Sequence, residues 1–196
     1  MLEGLAPLVT YCAVMSGTPG PNNVLLATSG ANFGYRRTLP HLVGIHAGMF
    51  LLTLTVCLGL GTLFAQFPQI HSALKVVGAL YLVYLAWLLA GASAGDQVDV
   101  ARPLTLVEGA AFQLVNPKSW MKAATMASVF MPADLSPLQG ALLLSAVGVV
   151  VGLPFVTGWA LFGVALRRLL HSATWLRAFN ALMGLSLLVL AVSLLA

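Results

Sequence analysis

The chain has 196 residues, of which 60% are hydrophobic and only 7% are charged. So little charge cannot cover the surface of a soluble domain, and the composition predicts an integral membrane protein. Because each membrane-spanning helix takes about 20 apolar residues, the chain has room for about six spans, which excludes catalysis in a separate aqueous domain. The formal charge of +4 falls mainly in predicted short loops, where it sets orientation and implies no nucleic acid or acidic partner.

The first predicted helix covers about residues 5–33 and is interrupted at Thr18-Pro19-Gly20-Pro21-Asn22-Asn23. Proline lacks an N–H and collides with the preceding turn, and in lipid the freed carbonyls find no water. Such a break is tolerated only where it lines a cavity inside the protein. Pro21 suits the first position of a new half-helix, whose unpaired N–H groups would point into that cavity and bind an anion.

Two further helices are predicted before the middle of the chain, over about residues 42–64 and 72–91, after a loop that begins at Gly34 and carries two arginines. The first of these helices contains Gly44 and Gly48. A Gly-x-x-x-Gly pair of this kind lets another helix backbone approach closely.

The second half of the chain begins with Thr105-Leu106-Val107-Glu108, a capping-box pattern. Glu108 is therefore predicted to cap its own helix and not to lie as an acid inside the membrane. Asn116-Pro117-Lys118 lies about 12 Å further along the helix than the Glu108 cap, which places it near the bilayer midplane. This stretch predicts a second break. Two more helices are predicted, over about residues 136–165 and from about residue 176 to the C-terminus.

Three features recur in the same order in both halves: a broken helix, a Gly-x-x-x-Gly helix and a helix with a basic start. Their shared order predicts an internal repeat. Since three is an odd number of helices, the two repeats enter the membrane from opposite sides, and in such inverted repeats the broken helices meet near the midplane. The predicted fold is an all-α membrane protein of six transmembrane helices, with repeats over residues 1–91 and 105–196 and a cytoplasmic linker over 92–104.

Basic residues predict the orientation of the chain. If both termini lie outside the cytoplasm, six arginines fall on the cytoplasmic side and only Lys75 lies near an outer helix end. The opposite orientation reverses that count, so the positive-inside rule favours termini on the outside. The arginines counted are Arg36, Arg37, Arg102, Arg167, Arg168 and Arg177.

Lys118 is the most unusual single residue, because a charged lysine at the centre of a membrane helix costs about 2.5–3.5 kcal/mol and needs a counterpart. Its partner could be a substrate carboxylate, backbone carbonyls at the broken helices or water; alternatively, the lysine snorkels or is neutral. Asn116 can cap the second half-helix, with Pro117 at its first position. The N–H groups of Lys118, Ser119 and Trp120 would then be free for a ligand. A simple proline kink is the alternative.

Other polar residues accompany the two breaks. The side-chain carbonyls of Asn22, Asn23 and Gln113 can accept hydrogen bonds from an ammonium group. Lys122, one turn further along the second broken helix, lies on the same face as the first lysine. His46 points away from the close-packing face, so it either faces a cavity, where it could relay protons, or is hydrogen-bonded within the bundle. The remaining histidines are predicted to fall in or beside loops. The predicted substrate-binding residues are Pro19, Gly20, Pro21, Asn22, Asn23, Gln113, Asn116, Pro117 and Lys118, with His46 and Lys122 as candidates for a proton relay.

Over essentially its whole length the chain resembles the LysE/RhtB family of amino-acid exporters. The motifs that carry the resemblance are Pro19-Gly20-Pro21-Asn22, Phe33-Gly34-x-Arg36-Arg37, Gly44-x-x-x-Gly48, Gly78-x-x-Tyr81-Leu82 and Asn116-Pro117-Lys118. The resemblance implies six membrane helices, the inner membrane of a bacterium, and efflux of an amino acid or a close derivative; with the orientation given by the basic residues, both termini are then predicted to be periplasmic.

Two details refine this resemblance. Many members carry an acidic residue directly after the second glycine of the second helix, where this chain has Met49, so the resemblance does not identify the coupling ion. Asn22-Asn23 together with Phe112-Gln113-x-x-Asn116 is most similar to the branch that exports cysteine and O-acetylserine.

The predicted function is that of a secondary transporter, not an enzyme, which binds a small zwitterionic amino acid without a cofactor or metal. The half-helix N-termini would hold the carboxylate and the Asn and Gln carbonyls the ammonium, while one repeat rocks against the other. The runner-up is a membrane thiol–disulfide electron carrier that uses Cys12 and Cys57, residues otherwise interpreted as small buried hydrophobic groups. A divalent-metal exporter is weaker, because no His/Asp/Cys cluster has ligand spacing. The oligomeric state is left open, with a homodimer among the alternatives.

Overall fold

The computed structural model describes residues 2–60, 68–91, 102–169 and 173–195. Within these ranges all regular structure is helical. Most of the predicted linker over 92–104 lies outside the described residues. In chain order the elements are α1 (Leu2–Gly17), α2 (Pro21–Phe33), α3 (Tyr35–Thr55), a π-helical turn (Val56–Leu60), α4 (Pro68–Gly91), α5 (Leu106–Val115), α6 (Pro117–Val129), α7 (Pro137–Leu169) and α8 (Ala173–Leu195).

Two of the predicted helices are interrupted at their prolines. α2 begins at Pro21 and α6 begins at Pro117, so each proline stands in the first turn of a new helix. The residues before them, Gly20 and Asn116, have extended backbones, with φ of −179° and −89°. A proline at this position loses nothing, because the first N–H groups of a helix have no partner within it.

One predicted boundary is wrong. A loop was expected after Gly34, with the next helix starting near residue 42, but α3 begins at Tyr35. Arg36 and Arg37 therefore lie in the first turn of α3 and not in a loop. Gly34 makes the turn alone because its φ of 81° is accessible to glycine and strained for residues with a Cβ.

The predicted capping box of α5 is present, and α7 begins with a second one. Thr105 Oγ1 accepts a hydrogen bond from the Glu108 N–H at 3.2 Å, and the Glu108 carboxylate accepts one from the Thr105 N–H at 2.8 Å. Ser136 and Gln139 make the same reciprocal pair at the start of α7. Glu108 also forms an ion pair with the exposed Arg102 at 2.6 Å. Glu108 thus caps α5, as predicted, and is not a buried acid.

Glycines bring α3 and α5 into backbone contact. A Cβ at Gly44 would overlap the carbonyl oxygen of Leu106, and one at Gly48 would stand 2.5 Å from the carbonyl oxygen of Ala110. In return, a Cβ at Gly109 of α5 would stand 2.8 Å from the carbonyl oxygen of His41 on α3. The predicted close approach at the first Gly-x-x-x-Gly pair is therefore confirmed, and it joins a helix of the first half to a helix of the second.

A second backbone contact of this kind joins α2 and α7. A Cβ at Gly30 would overlap the carbonyl oxygen of Ala160, and one at Gly163 would overlap the carbonyl oxygen of Ala27. Side chains cannot be placed between the two helices here, so their distance is fixed by backbone atoms. This contact also pairs a helix of the first half with a helix of the second.

Large apolar side chains cover the outer surface. Trp87, Val107, Val150 and Val192 are between 68% and 72% exposed, a pattern that soluble monomers avoid over wide areas. Among the described residues, two helical stretches are long and apolar enough to cross a bilayer, Tyr35–Gly59 and Pro137–Arg167. Four shorter apolar helical stretches accompany them: Leu5–Gly17, Val76–Trp87, Leu106–Val115 and Arg177–Val192. The all-helical fold therefore presents a surface suited to lipid.

Candidate functional site

A cavity of about 50 Å³ lies between the two helix interruptions. By the same measure a single water needs about 10–15 Å³, so the cavity holds a few waters but no whole amino acid unless a side chain moves. Pro19, Gln113 and Pro117, also predicted as site residues, stand beside the cavity without lining it. The predicted residues that do line it are Gly20, Pro21, Asn22, Asn23, His46, Asn116, Lys118 and Lys122.

The N-terminus of α2 is open at the cavity. Gly20 precedes the helix and has no side chain that could cap it, and Pro21 has no N–H. The N–H groups of Asn22 and Asn23 come next, and no residue that the structure describes accepts a hydrogen bond from them. Free N–H groups at the positive end of a helix favour an anion.

The N-terminus of α6 differs, because it is capped by its own asparagine. Asn116 Oδ1 accepts a hydrogen bond from the Lys118 N–H at 3.1 Å. The Asn116 carbonyl accepts hydrogen bonds from the N–H groups of Ser119 at 3.0 Å and Trp120 at 3.3 Å. The prediction that these three N–H groups are free for a ligand is therefore wrong. Of the two interrupted helices, α2 alone presents unoccupied N–H groups.

The Lys118 side chain reaches from α6 to the end of α1. Its Nζ donates hydrogen bonds to the Thr18 carbonyl at 2.7 Å, to Thr18 Oγ1 at 2.8 Å and to the Pro19 carbonyl at 3.1 Å. Of the partners considered for this lysine, backbone carbonyls at a broken helix are thus present. Gly20 lies beneath the side chain, and a Cβ there would stand 2.9 Å from Lys118 Cδ.

Lys122 lies deeper in the cavity and is buried. Its Nζ donates a hydrogen bond to Ser16 Oγ at 3.0 Å and approaches the Gly148 carbonyl at 3.4 Å. Gly152 faces the same space, and the position of a Cβ there is 3.7 Å from His46 Cε1. His46 Nε2 is buried without a hydrogen-bond partner in the described part of the chain. The second Gly-x-x-x-Gly pair, Gly148 and Gly152, thus faces side chains and not another backbone, with Met126 at Gly148 and polar side chains at Gly152.

Asn22 and Gln113 connect the two interrupted helices through their amides. Asn22 Nδ2 donates to Gln113 Oε1 at 2.9 Å, and Gln113 Nε2 donates to Asn22 Oδ1 at 3.1 Å. Gln113 is 0% exposed and also donates to the Gly109 carbonyl and accepts from Ser119 Oγ. The side-chain carbonyl of Gln113, predicted to accept from a substrate, is therefore already occupied in this conformation.

The side-chain hydroxyls of two serines take part in the site, and neither hydroxyl was predicted to do so from the sequence. Ser16 Oγ accepts from Lys122, and Ser119 Oγ donates to Gln113. Each is a buried hydroxyl within three residues of a break, and that proximity was the available signal. Asn23, on α2, is hydrogen-bonded to the end of α1, since its Nδ2 donates to the carbonyls of Ser16 and Thr18, both at 2.9 Å.

The two cysteines lie in an apolar cluster away from this polar site. Cys12 and Cys57 are both free thiols, and both pack with Leu8 and Met126. Cys12 is fully buried, as expected of a small hydrophobic residue. Among the described residues there is no group of three His, Cys, Asp or Glu side chains that could hold a metal ion.

Comparisons with known proteins identify the family. The family model described as LysE type translocator matches residues 13–196. Proteins named cysteine/O-acetylserine efflux protein from Escherichia coli (strain K12) and Shigella sonnei (strain Ss046) are each 30% identical to the chain over 189 residues, which is 96% of this chain and 95% of theirs. The relative from Escherichia coli O139:H28 has the same identity and coverage. No solved structure matches the chain.

These matches confirm the resemblance found in the motifs around Pro21 and Pro117. They identify an integral membrane protein that exports an amino acid or a derivative, so the thiol–disulfide carrier built on Cys12 and Cys57 is set aside. The chain is a transporter and not an enzyme, and it belongs to the LysE family of translocators.

Proposed function

We propose that the protein exports a small α-amino acid, of the size of cysteine or O-acetylserine, across the inner membrane of a bacterium by alternating access. The observation that carries the proposal is the open N-terminus of α2, which shares a cavity with two lysines, Lys118 and Lys122. None of the described residues that line this cavity is acidic. A site with two cations, free N–H groups and no carboxylate favours a ligand that brings its own carboxylate.

The membrane architecture that we propose has six spans in two inverted three-helix repeats. At about 1.5 Å per residue, a hydrocarbon core of about 30 Å requires about 20 helical residues. α1 has 16 residues and α2 has 13, while α5 has 10 and α6 has 13, so each falls short alone. Taken as consecutive pairs, they form two broken spans. Exposed arginines on α3 and before α5 would lie in the cytoplasm and both termini in the periplasm.

In the substrate complex, the carboxylate would bind the N–H groups of Asn22 and Asn23 at the start of α2. Lys122, already directed into the cavity, would add an opposite charge. The amide pair of Asn22 and Gln113 would have to open before either side chain could contact the ammonium group, because the two amides now hydrogen-bond each other. The substrate class follows from the relatives named cysteine/O-acetylserine efflux protein.

Alternating access would move two pairs of helices against each other. The backbone contacts at Gly44 and Gly163 hold α3 to α5 and α2 to α7. Because each pair draws on both predicted repeats, a rigid rotation of one repeat against the other would have to break these contacts. We therefore place the movement between the α3/α5 pair and the α2/α7 pair, with the cavity between them. His46 and Lys122, on α3 and α6, are the proposed proton relay.

Transport by the purified protein in liposomes tests the proposed function. Labelled cysteine and O-acetylserine are loaded inside, and their release is measured with and without a proton gradient, against protein-free liposomes. Release of both above the control is expected, whereas labelled glutamate and arginine should be retained.

Pro21→Ala and Lys118→Ala should abolish release while the protein still inserts, because Pro21→Ala removes the helix break and Lys118→Ala removes a cation from the cavity. Wild-type release by either variant would contradict the proposal. Light scattering on the purified protein, before it is placed in liposomes, distinguishes a monomer from a homodimer.

A further inference from the structure

We propose that the Thr18 carbonyl, Thr18 Oγ1 and the Pro19 carbonyl form the binding subsite for the ammonium group of the substrate, and that Lys118 is a tethered ammonium that occupies this subsite while the transporter is empty. The proposal rests on the proposed function, because it assigns the charged groups of an amino-acid substrate. Lys118 then competes with the substrate ammonium for this subsite, in addition to providing a positive charge for the substrate carboxylate.

The three oxygens have the chemistry and the number of an ammonium site. They accept hydrogen bonds from Lys118 Nζ at 2.7, 2.8 and 3.1 Å, which uses all three N–H donors of the ammonium. They lie just beyond Gly17, the last residue of α1, at the negative end of that helix. The last turn of α1 has no basic residue of its own that could satisfy these groups.

The position of this subsite suits an α-amino acid. The oxygens of Thr18 and Pro19 end one helix, and the free N–H groups of Asn22 and Asn23 begin the next only a few residues later. One break thus presents a cation-binding end and an anion-binding end side by side. The ammonium and carboxylate of an α-amino acid are separated by a single carbon, so one molecule can contact both ends.

An exchange of ammonium groups explains how the small cavity admits a substrate. The Lys118 side chain lies directly on Gly20, with Cδ 2.9 Å from the position of a Cβ. When the substrate ammonium takes its place, this side chain moves away and its charge is free to approach the substrate carboxylate. The three oxygens accept hydrogen bonds from an ammonium group in both states, so none of the three loses its donor during the exchange.

A coupling cation could use the same oxygens, because carbonyls at half-helix ends bind Na⁺ in other secondary transporters. The test therefore uses ligands that separate the two sources. Cysteamine carries the ammonium of cysteine without its carboxylate, 3-mercaptopropionate carries the carboxylate without the ammonium, and NaCl supplies the inorganic cation. Binding of each is measured by calorimetry on the purified protein under reducing conditions.

Lys118→Met removes the tethered ammonium and keeps the length of the side chain. We expect this variant to bind cysteamine at least tenfold more tightly than the wild type and 3-mercaptopropionate no more tightly. Arg36→Met is the control, because it removes a positive charge from the exposed surface of α3 without vacating the subsite or changing the cavity, and its affinity for cysteamine should stay within threefold of the wild type. An unchanged affinity of Lys118→Met for cysteamine would overturn the proposal. Displacement of cysteamine by Na⁺ at millimolar concentration would assign the oxygens to a coupling cation and overturn it as well.

Two further variants keep the proposal testable if Lys118→Met does not fold. Gly20→Ala pushes the lysine from its place without removing its charge, and it should also tighten cysteamine binding. Thr18→Val removes one of the three oxygens and should weaken it, while Thr18→Ser restores the wild-type value. If the wild type exports cysteine but none of these variants changes cysteamine affinity, this inference fails alone. If wild-type liposomes release no amino acid, the proposed function fails.

Discussion

Asn22 of α2 and Gln113 of α5 donate amide hydrogen bonds to each other, at 2.9 and 3.1 Å, and so connect the two interrupted helices directly. The connection also joins the two helix pairs held by glycine contacts, α2/α7 and α3/α5. Because Gln113 is completely buried, its amide has no water as a substitute partner, whereas Asn22 is half-buried and lines the cavity. Under the proposed alternating access, this pair is a contact that has to open in each cycle.

We predict that Asn22→Leu lowers the free energy of unfolding by about 1–3 kcal/mol, since it leaves the buried Gln113 amide without its partner, and that Gln113→Leu lowers it by less, since Asn22 is half-buried. The double variant should lose less than the sum of the two, by about 1 kcal/mol or more, because both polar groups are then gone. Thermal unfolding in detergent measures all three variants against the wild type. Strictly additive losses would show that the two amides do not depend on each other.

Gly163→Ala should destabilise the protein, whereas Gly158→Ala on the same helix should not. A Cβ at Gly163 would overlap the backbone of Ala27, which cannot move aside without shifting α2, and overpacking of this kind costs about 1–3 kcal/mol or more. A Cβ at Gly158 meets nothing within 4 Å. Melting temperatures of the two purified variants, compared at equal detergent concentration, check the prediction. Equal melting temperatures would contradict the backbone contact between α2 and α7.

His46→Gln should abolish the effect of a proton gradient on export while leaving exchange of labelled for unlabelled substrate. His46 Nε2 is buried without a partner and faces the same space as Lys122, so a proton could pass between them through cavity water. Glutamine keeps a polar group of similar size but cannot carry a proton. Export is measured in liposomes at several imposed gradients. A gradient effect that survives in His46→Gln would remove this histidine from the relay.

The double variant Cys12→Ala/Cys57→Ala should export at the wild-type rate. Both residues pack in an apolar cluster and neither lines the cavity between the breaks. Their loss removes some packing, so a lower melting temperature is expected, with the larger share from the fully buried Cys12. Rates are compared per molecule of inserted protein. Loss of export at normal insertion would show that a thiol takes part in transport.

Local chemistry explains which parts of the fold could be predicted from the sequence. Pro21 and Pro117 interrupt their helices because proline lacks an N–H, a property that needs no knowledge of the neighbours. The start of α3 could not be found in this way. Gly34 replaces a whole loop through one positive φ, and the sequence around it gives no sign of how short the turn is.

The site was predicted less completely because its contacts join distant parts of the chain. Lys118 was recognised as needing a partner, but the choice of Thr18, 100 residues earlier, depends on how α1 meets α6. Asn116 was predicted as a cap, yet its backbone carbonyl also occupies N–H groups that had been assigned to a ligand. His41, expected in or beside a loop, lies within α3 with both ring nitrogens buried and unpaired among the described residues.

The unequal capping of α2 and α6 means that the two halves of the chain differ in how they can bind a ligand. If the two halves descend from one ancestral segment, the starts of α2 and α6 no longer match, since the Asn116 side chain caps α6. The start of α2 is not capped, because Gly20 has no side chain that could accept a hydrogen bond. Substitutions that enlarge position 20 should therefore change ligand binding at the start of α2, whereas those that remove the Asn116 cap should chiefly lower the free energy of unfolding.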